Sequence, residues 1–530
     1  VLLGYAFIAG LNAPVFRALI MTGFFLLAVL WYRQHSLFHL LAVAALVLLA
    51  LHPLALFTVS FQLSFAALIA IALIAPSLQS LYQTKESKEK KLTGNVLRWT
   101  QSAFLISLAA TAGTLPLLLY HFNRFSPIGP LMNLIIEPLL CFIALPLGLL
   151  ATPCLTVAPG AAEILFSFGG HALHAANALT SRAAQFPLAS IWTITPSIGE
   201  IAAYYLLIIL SCILICRKPR TTGKYRLFIV GGFILLILHF TAGLYQPTLL
   251  HDHQKRNARV FFLDVGKGSS TLLTFADGST ILIDGGGSSS DRFNVGRQII
   301  APFLWKQRVW RITTLIITHP DSDHYNGLGV IARRFHPQIT YINEQPIQSH
   351  SYDALIKTIQ QHHIRLTTPQ SGQTLHTDSL CRLNCIGMTG LADKNDSDNN
   401  QGLVMRLDCG EKTFLFPADI EQRSEEILLE NNRKLQADVL LAPHHGSKTS
   451  CSHPFLRAVA PELIVVSAGG RQQNFFPAPR NRRWWQKNYI PFLITGVNGT
   501  VACTTDGKNL TTTIWTHETG WESRELSEKK

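Results

Sequence analysis

Charge is almost absent from one half of this chain, and that constrains its fold more than any other feature. Residues 1–247 hold 14 Lys and Arg and 5 Asp and Glu, a net of +9, whereas residues 248–530 hold 31 and 27, a net of +4. Charged residues are 15% of the whole, against roughly 25% in a soluble protein, so the shortage belongs to the first part. Seven apolar runs fill it, at about 14–31, 38–56, 61–79, 102–121, 127–152, 201–216 and 225–245. Most approach the ~20 residues that a helix needs to cross a bilayer. Buried helices of a soluble protein would carry more acids between them, and a secretory signal would not recur. Residues 1–12 read as the end of another span, so the chain reads as begun within membrane sequence. The segment 156–195, with His171, His174 and Arg182, fits either a polar-faced span or a helix in the interface. The expectation is a polytopic α-helical membrane domain of seven or eight spans over 1–247, then a separate soluble domain over 248–530.

Two basic links set an orientation. Lys85, Lys88, Lys90, Lys91 and Arg98 form one, and Arg217, Lys218, Arg220, Lys224 and Arg226 the other. The positive-inside tendency puts both in the cytoplasm, provided an even number of spans separates them. The last span then delivers residue 248 and all that follows to the outer face. Arg17, Gln62 and Glu137 sit inside apolar runs, where a polar group faces a cavity, a partner or a nearby interface; an interfacial Glu137 would pair with Arg124. Pro116, Pro127, Pro130 and Pro138, with Gly113 and Gly129, are expected to interrupt helices where a pathway could form.

Beyond residue 259 the pattern changes to short β-like runs, Val260–Val265, Thr271–Phe275, Thr280–Ile283 and Ile312–Thr318, then 403–408, 412–416, 438–442, 462–467, 491–495 and 500–505. Helical stretches fall at about 326–334, 352–362 and 422–431. Strands in runs with few helices between them suggest two packed sheets with helices outside, an αββα arrangement. The chemistry concentrates in His319-Pro-Asp321-Ser-Asp323-His324, four metal-ligating side chains directly after a buried strand. Oxygen and imidazole donors suit zinc or manganese, and two such ions can share a site. Asp419 ends a later strand, and His444-His445 follow another. Asp264, Asp284 and Gly285-Gly286 close early strands as adjoining loops or supporting groups. One such residue alone would be a turn acid or surface histidine; three strand ends together point to a metal centre.

These residues carry a resemblance. VFFLDVGKG at 260–268, ILIDGG at 281–286, ITHPDSDHYNG at 317–327 and ADVLLAPHHGS at 437–447 resemble the metallo-β-lactamase-like domain of ComEC-type competence proteins. PVFRALIM at 14–21, VSFQLSF at 59–65, GTLPLLLYH at 113–121 and FSPIGPLMN at 125–133 resemble that family's competence domain. The resemblance implies an inner-membrane channel that passes single-stranded DNA into the cytoplasm, with a metal-dependent nuclease on the outer, periplasmic face and two divalent ions, zinc or manganese. It implies DNA-receptor and cytoplasmic DNA-handling competence proteins as partners, besides membrane lipid and other copies of the chain. The family's N-terminal oligonucleotide-binding-like region is not visible here.

Carried across by motif, His319, Asp321, Asp323 and His324 take the metal run, with Asp323 and His324 also expected to be catalytic. Asp419 takes the strand-ending acid and would bridge the ions. His445 is assigned as a ligand, although either paired histidine can face the metal, and Asn399 matches a polar position before a strand. Four departures stand out. Family members read Gly-Gln-Gly-Asp where this chain has Gly266-Lys267-Gly268-Ser269, and Tyr-Gly-His-Pro where it has Phe476-Pro477-Ala478-Pro479. Ala418 replaces a glycine and Gly402 a serine. The soluble domain therefore reads as a working nuclease or as an inert DNA guide. A membrane-tethered hydrolase of small phosphoesters or lipids is the rival to DNA transport. Lys267, Arg482, Arg483 and Trp484 are candidate DNA contacts, the last three within a basic stretch 471–487 that also reads as a solvated face. Cys381, Cys385, Cys409, Cys451 and Cys503 are odd in number and show no disulfide spacing.

Overall fold

A chain that puts its apolar residues in long unbroken runs must satisfy its backbone within each run, and all seven runs do so as helices. The computed structural model describes residues 4, 6–7, 10, 13–30, 37–82, 92–187, 189–216, 222–245, 257–266, 268–287, 293–343, 349–388, 398–431, 434–470, 476–516 and 520–523. It divides into two compact units, Val1–Thr241 and Ala242–Lys530. The expected junction at 247, and most of the two basic links, lie outside the described residues.

In the first unit the helices are Ala13–Leu30, Leu37–Leu51, Val59–Tyr82, Leu92–Phe122, Gly129–Glu137, Leu145–Val157, Pro159–Ala183, Ile198–Cys216 and Thr222–Tyr245. Four stretches are long and apolar enough to cross a membrane: Val59–Leu78, Arg98–Phe122, Gly129–Val157 and Ile198–Ile215. Val15–Leu26, Leu37–Leu51 and Leu227–Thr241 are apolar but shorter. The run expected to reach 56 stops at Leu51, because Pro53 opens a 3-10 turn, Pro53–Phe57. Its 15 helical residues reach only about 22 Å at 1.5 Å per residue, short of the ~30 Å hydrocarbon layer. The ambiguous segment forms the 25-residue helix Pro159–Ala183, which buries Ala162, Gly169, Ala172 and Ala176 and leaves His171, His174 and Arg182 exposed.

Small residues let these helices touch. A Cβ on Gly113 would lie 2.1 Å from the Ala70 Cβ and 2.9 Å from the Ala66 carbonyl, so only glycine permits this approach of Leu92–Phe122 to Val59–Tyr82. Arg17 is buried, with both terminal nitrogens 3.3 Å from the Ser60 hydroxyl. Gln62 donates to the Leu56 carbonyl at 3.1 Å and lies 2.8 Å from His121 Nε2. Glu137 is exposed and Arg124 lies over the Trp192 ring at 5.4 Å; among the described residues no ion pair joins the two.

The prolines do less breaking than expected. Pro127 and Pro130 frame the start of Gly129–Glu137, and Pro138 opens a π-helical turn, Pro138–Ala144, that continues into Leu145–Val157. Pro116 sits inside Leu92–Phe122 without ending it. Proline has no N–H, so the carbonyl four residues back, that of Ala112, loses its helical donor. Tyr204 supplies a replacement: its hydroxyl donates to the Ala112 oxygen at 2.9 Å, and Tyr205 donates to that of Gly113 at 2.8 Å.

A short antiparallel pair, Arg124–Phe125 with Ile191–Trp192, closes the segment between them into a loop. The Thr193 amide donates to the Asn123 carbonyl at 2.9 Å, and the Asn123 side chain donates to Thr195 at 2.8 Å. The pair brings residues 124 and 191 side by side, with Gly129–Val157 and Pro159–Ala183 in the loop between them.

The second unit is two sheets. One has nine strands, in the order Gly520–Ser523, Leu510–Thr516, Thr500–Thr505, Ala258–Phe262, Thr271–Thr274, Thr280–Ile283, Thr314–Ile316, Ile339–Tyr341 and Arg365–Thr367. The other has seven: Phe492–Ile494, Leu463–Val466, Val439–Leu441, Lys412–Phe416, Leu403–Cys409, Cys381–Met388 and Thr374–Thr377. Period-two alternation sorts their side chains. Phe262, Ile281 and Ile283 of the first meet Met405, Leu407, Phe414, Phe416 and Leu441 of the second in a shared core, with Phe262 and Phe416 centroids 6.2 Å apart. The residues between, Val404, Leu415, Leu440 and Ile464, face outward onto Leu428, Phe455, Leu456 and Trp485 of three helices, Gln422–Glu430, His453–Val459 and Pro479–Lys487. Helices Ala301–Lys306, Leu328–Phe335 and His350–Gln361 bring their own buried faces to the remaining layer, completing the αββα order.

Replacing Tyr204 by Phe tests the proline repair. Leaving the Ala112 carbonyl without a donor in an apolar setting costs about 1–3 kcal/mol. Thermal unfolding of the detergent-solubilised chain should fall accordingly, while Tyr120→Phe, at an exposed position, changes little.

Candidate metal centre

The strands that carry the candidate ligands run parallel where it matters. Thr280–Ile283 pairs parallel with Thr314–Ile316, and Lys412–Phe416, Val439–Leu441 and Leu463–Val466 run parallel in turn. Their carboxyl ends share an edge, so Asp284, Thr318-His319, Asp419, His444-His445 and Ser467 leave consecutive strands toward one place.

Asp284 is the organiser. Its carboxylate accepts from the Thr318 amide, the Thr318 hydroxyl and His324 Nδ1, each at 2.8 Å. With Nδ1 engaged, His324 can present only Nε2 to the site. His445 is fixed likewise, its Nδ1 donating to the Ser467 carbonyl at 2.7 Å. Thr318 Oγ1 lies 3.1 Å from His319 Nδ1. All three Nε2 atoms, of His319, His324 and His445, are buried with no hydrogen-bond partner. Partnerless buried nitrogens are costly, and three converging on one carboxylate are what a cation would satisfy.

The distances agree. Asp419 Oδ2 lies 3.4 Å from Nε2 of both His324 and His445. Donors each about 2.0–2.2 Å from a tetrahedral zinc stand roughly 3.3–3.5 Å from one another. At this edge two groups of ligating atoms lie within 4.8 Å of one another: His319, His324 and Asp419, and Asp323, His324 and His445. They share His324, which has one free nitrogen and so serves one ion. Asp419, with two oxygens, is the member able to bridge. Asp323 Oδ2 is 3.8 Å from His445 Nε2, and Asp321 Oδ2 is 3.5 Å from His319 Nε2 on a side chain 47% exposed. His445 rather than His444 enters the groups: His444 is 4.0 Å from Asp419 and 3.5 Å from Glu421, at the rim.

The electrostatics follow from burial against pairing. Burial opposes a charged His324, but Asp419 and Asp284 override it and hold this imidazole well above the ordinary histidine range. His445 is raised in the same way, against burial, by Asp419. Burial alone would raise Asp419, yet His445 and His324 hold it well below the carboxylate range. The His319 imidazole, 3.5 Å away, lowers Asp321. Asp264 stays apart: burial raises it, its carboxylate facing the Gly266 amide at 3.3 Å.

The loops are shaped for this packing. His444, His445 and Gly446 all have positive φ, 47°, 55° and 75°, and the Asn481 side chain holds the turn by donating to the carbonyls of Gly446 and Ser447 at 3.0 and 2.8 Å. A Cβ on Gly268 would collide with the Asp323 carbonyl at 1.9 Å. Two of the departures from the family pattern prove to be neighbours. Ala418 has φ 57°, the left-handed region that costs an L residue about 1–2 kcal/mol. A Cβ on Gly402 would lie 2.9 Å from the Ala418 Cβ, so the bare glycine makes room for the alanine.

Sequence reasoning missed Thr318 and the Ser467 carbonyl, whose signal was their place at strand ends beside the ligands. It also missed a disulfide, Cys381–Cys409, whose cysteines stand directly opposite in antiparallel strands. Asn399 lies outside both groups, its carbonyl accepting from Gly402 at 3.2 Å. Lys267 lies outside the described residues. Arg482, Arg483 and Trp484 sit on helix Pro479–Lys487, beyond the ligand groups.

Fold and site together define a polytopic membrane protein with a metallo-β-lactamase-like second unit. Residues 1–218 match the competence protein family and residues 263–352 the metallo-beta-lactamase superfamily. The chain is 25% identical over 508 residues to ComE operon protein 3 of Bacillus subtilis, covering 94% of this chain and 62% of that one. It is 27% identical over 488 residues to Recombination protein 2 of Haemophilus influenzae, covering 88% and 57%. It is 25% identical over 512 residues to Competence protein ComA of Neisseria gonorrhoeae, covering 93% and 62%. The chain thus spans less than two thirds of the length of each of these relatives. It is a homologue of these competence proteins, with a competence domain followed by a metallo-beta-lactamase-like domain.

Two outcomes check the site. Asp284→Asn should weaken divalent-ion affinity about 10–100-fold, read by competition with a chelating dye; unchanged affinity would remove Asp284 from the centre. Gly402→Ser should destabilise the chain by about 1–3 kcal/mol, and adding Ala418→Gly should recover most of that, a coupling visible in a double-mutant cycle of unfolding.

Proposed function

We propose that the chain conducts single-stranded DNA through the inner membrane and carries on its outer face a metal-dependent phosphodiesterase that acts on DNA. The observation that carries the enzymatic part is the set of three buried, partnerless imidazole nitrogens around Asp419. His319 and Asp321 would hold one divalent ion, Asp323, His324 and His445 a second, with Asp419 between them. Such ions supply Lewis acidity toward a phosphodiester and lower the pKa of water. Asp284 and the Ser467 carbonyl keep His324 and His445 in the tautomer that faces inward. His444, outside both groups and partly exposed, would give a proton to the leaving oxygen.

The outward placement has two supports. The strand pair joining 124 and 191 supports two crossings between them, by Gly129–Val157 and Pro159–Ala183, and Leu92–Phe122 and Ile198–Cys216 add one each. An even number then separates the two basic links, which is the condition for both to be cytoplasmic. The buried Cys381–Cys409 disulfide suits an oxidising compartment.

A second reading, a domain that guides DNA without cutting it, draws on Ser269. It is buried and lines the same small cavity as His324, Asp419 and His445, where the family pattern has an acid. The purified chain in nanodiscs, given end-labelled single-stranded DNA and Mn²⁺, should cleave it, and Asp323→Ala should lower the rate at least a hundredfold. A chain that binds metal and cuts nothing would favour the guide.

A further inference from the structure

We infer that an open groove on the outer helices of the second unit is an accessory site for single-stranded nucleic acid, separate from the metal-ligand groups. The groove encloses about 530 Å³. Its walls come from three helices: Gln422 from Gln422–Glu430, His453 from His453–Val459, and Arg480, Arg483, Trp484 and Lys487 from Pro479–Lys487.

The last helix divides its residues by function. Positions 480, 483, 484 and 487 recur at helical spacing and share one face, where Arg480, Arg483 and Lys487 are exposed. Trp485 is on another face and fully buried in the core, which anchors the helix. Arg482 does not line the groove. Among the described residues of the basic stretch, this subset lines the groove.

Two features choose the ligand. Among the described residues, three cations line the groove and no carboxylate does. The nearby buried Glu425 directs both oxygens to backbone, accepting from the amides of Cys451 at 2.6 Å and Ser452 at 2.8 Å. The second feature is an aromatic pair: Trp484 and His453 stack with centroids 4.9 Å apart and planes 16° from parallel. A base can extend that stack while the cations meet backbone phosphates, the combination single strands require. An anionic membrane would be met by the charges alone. The groove also adjoins the candidate centre, because Glu421, the residue before Gln422, lies 3.5 Å from His444.

The ligand class rests on the function proposed above, so the test separates the two. Binding of a fluorescent oligothymidylate to the full chain in nanodiscs of neutral lipid is measured by anisotropy across a salt series, with EDTA present so that the metal groups play no part. Arg483→Gln with Lys487→Gln should weaken binding roughly tenfold and reduce the salt slope by about 1.4, two single-strand phosphate contacts at about 0.7 each. His453→Ala should weaken it roughly fivefold or more through lost stacking and leave the slope unchanged. Equal affinity and slope in the double variant, with the unmodified chain binding well, would overturn the groove and leave the proposed function standing. No binding by the unmodified chain would overturn both. If the double variant instead lost only its adsorption to phosphatidylglycerol vesicles, the groove would be a lipid contact and the inference wrong.

Discussion

The Asp284 carboxylate receives three hydrogen bonds, and the geometry of the second unit's edge depends on them. Two come from Thr318 and one from His324, so this side chain joins the end of one strand to the end of its neighbour and to the turn beyond. Each of these donors belongs to a group that the turn must place correctly in order to reach the carboxylate. Holding His324 by Nδ1 leaves Nε2 facing Asp419 and whatever enters the site. That restriction passes through Asp419 to His445, which the Ser467 carbonyl holds from the far side.

The first unit solves a related problem without charge. Where Pro116 removes a backbone donor, a tyrosine hydroxyl on another helix replaces it, and where two helices must touch, Gly113 removes the side chain that would separate them. The strand pair joining 124 to 191 is small, yet it relates the helices on either side more firmly than their apolar faces do, because side chains that suit lipid also suit one another.

Much of this was legible in the sequence. Period-two alternation and turn residues gave the strands of the second unit, and the dense run from His319 to His324 gave the centre, since ligands directly after a buried strand have one place to go. The shared edge of parallel strands, which brings Asp419 and His445 to that run, follows from the fold. What stayed hidden depended on pairing across the chain. Cys381 and Cys409 are 28 residues apart in sequence and adjacent only by strand register. Pro116 reads as a helix breaker until Tyr204 is brought beside it, and Leu37–Leu51 ended early because Pro53 outweighs the apolar residues that follow. The choice between His444 and His445 required the backbone, because two adjacent histidines in a left-handed turn point to different surroundings.

The contact between positions 402 and 418 also ties the choice of residue at one to the choice at the other. A side chain at 402 beside alanine at 418 would bring two β-carbons to within 2.9 Å, whereas glycine at both positions would lose only a few contacts. The two positions therefore behave as one site of fixed capacity: a single β-carbon fits, and here the left-handed alanine beside Asp419 supplies it.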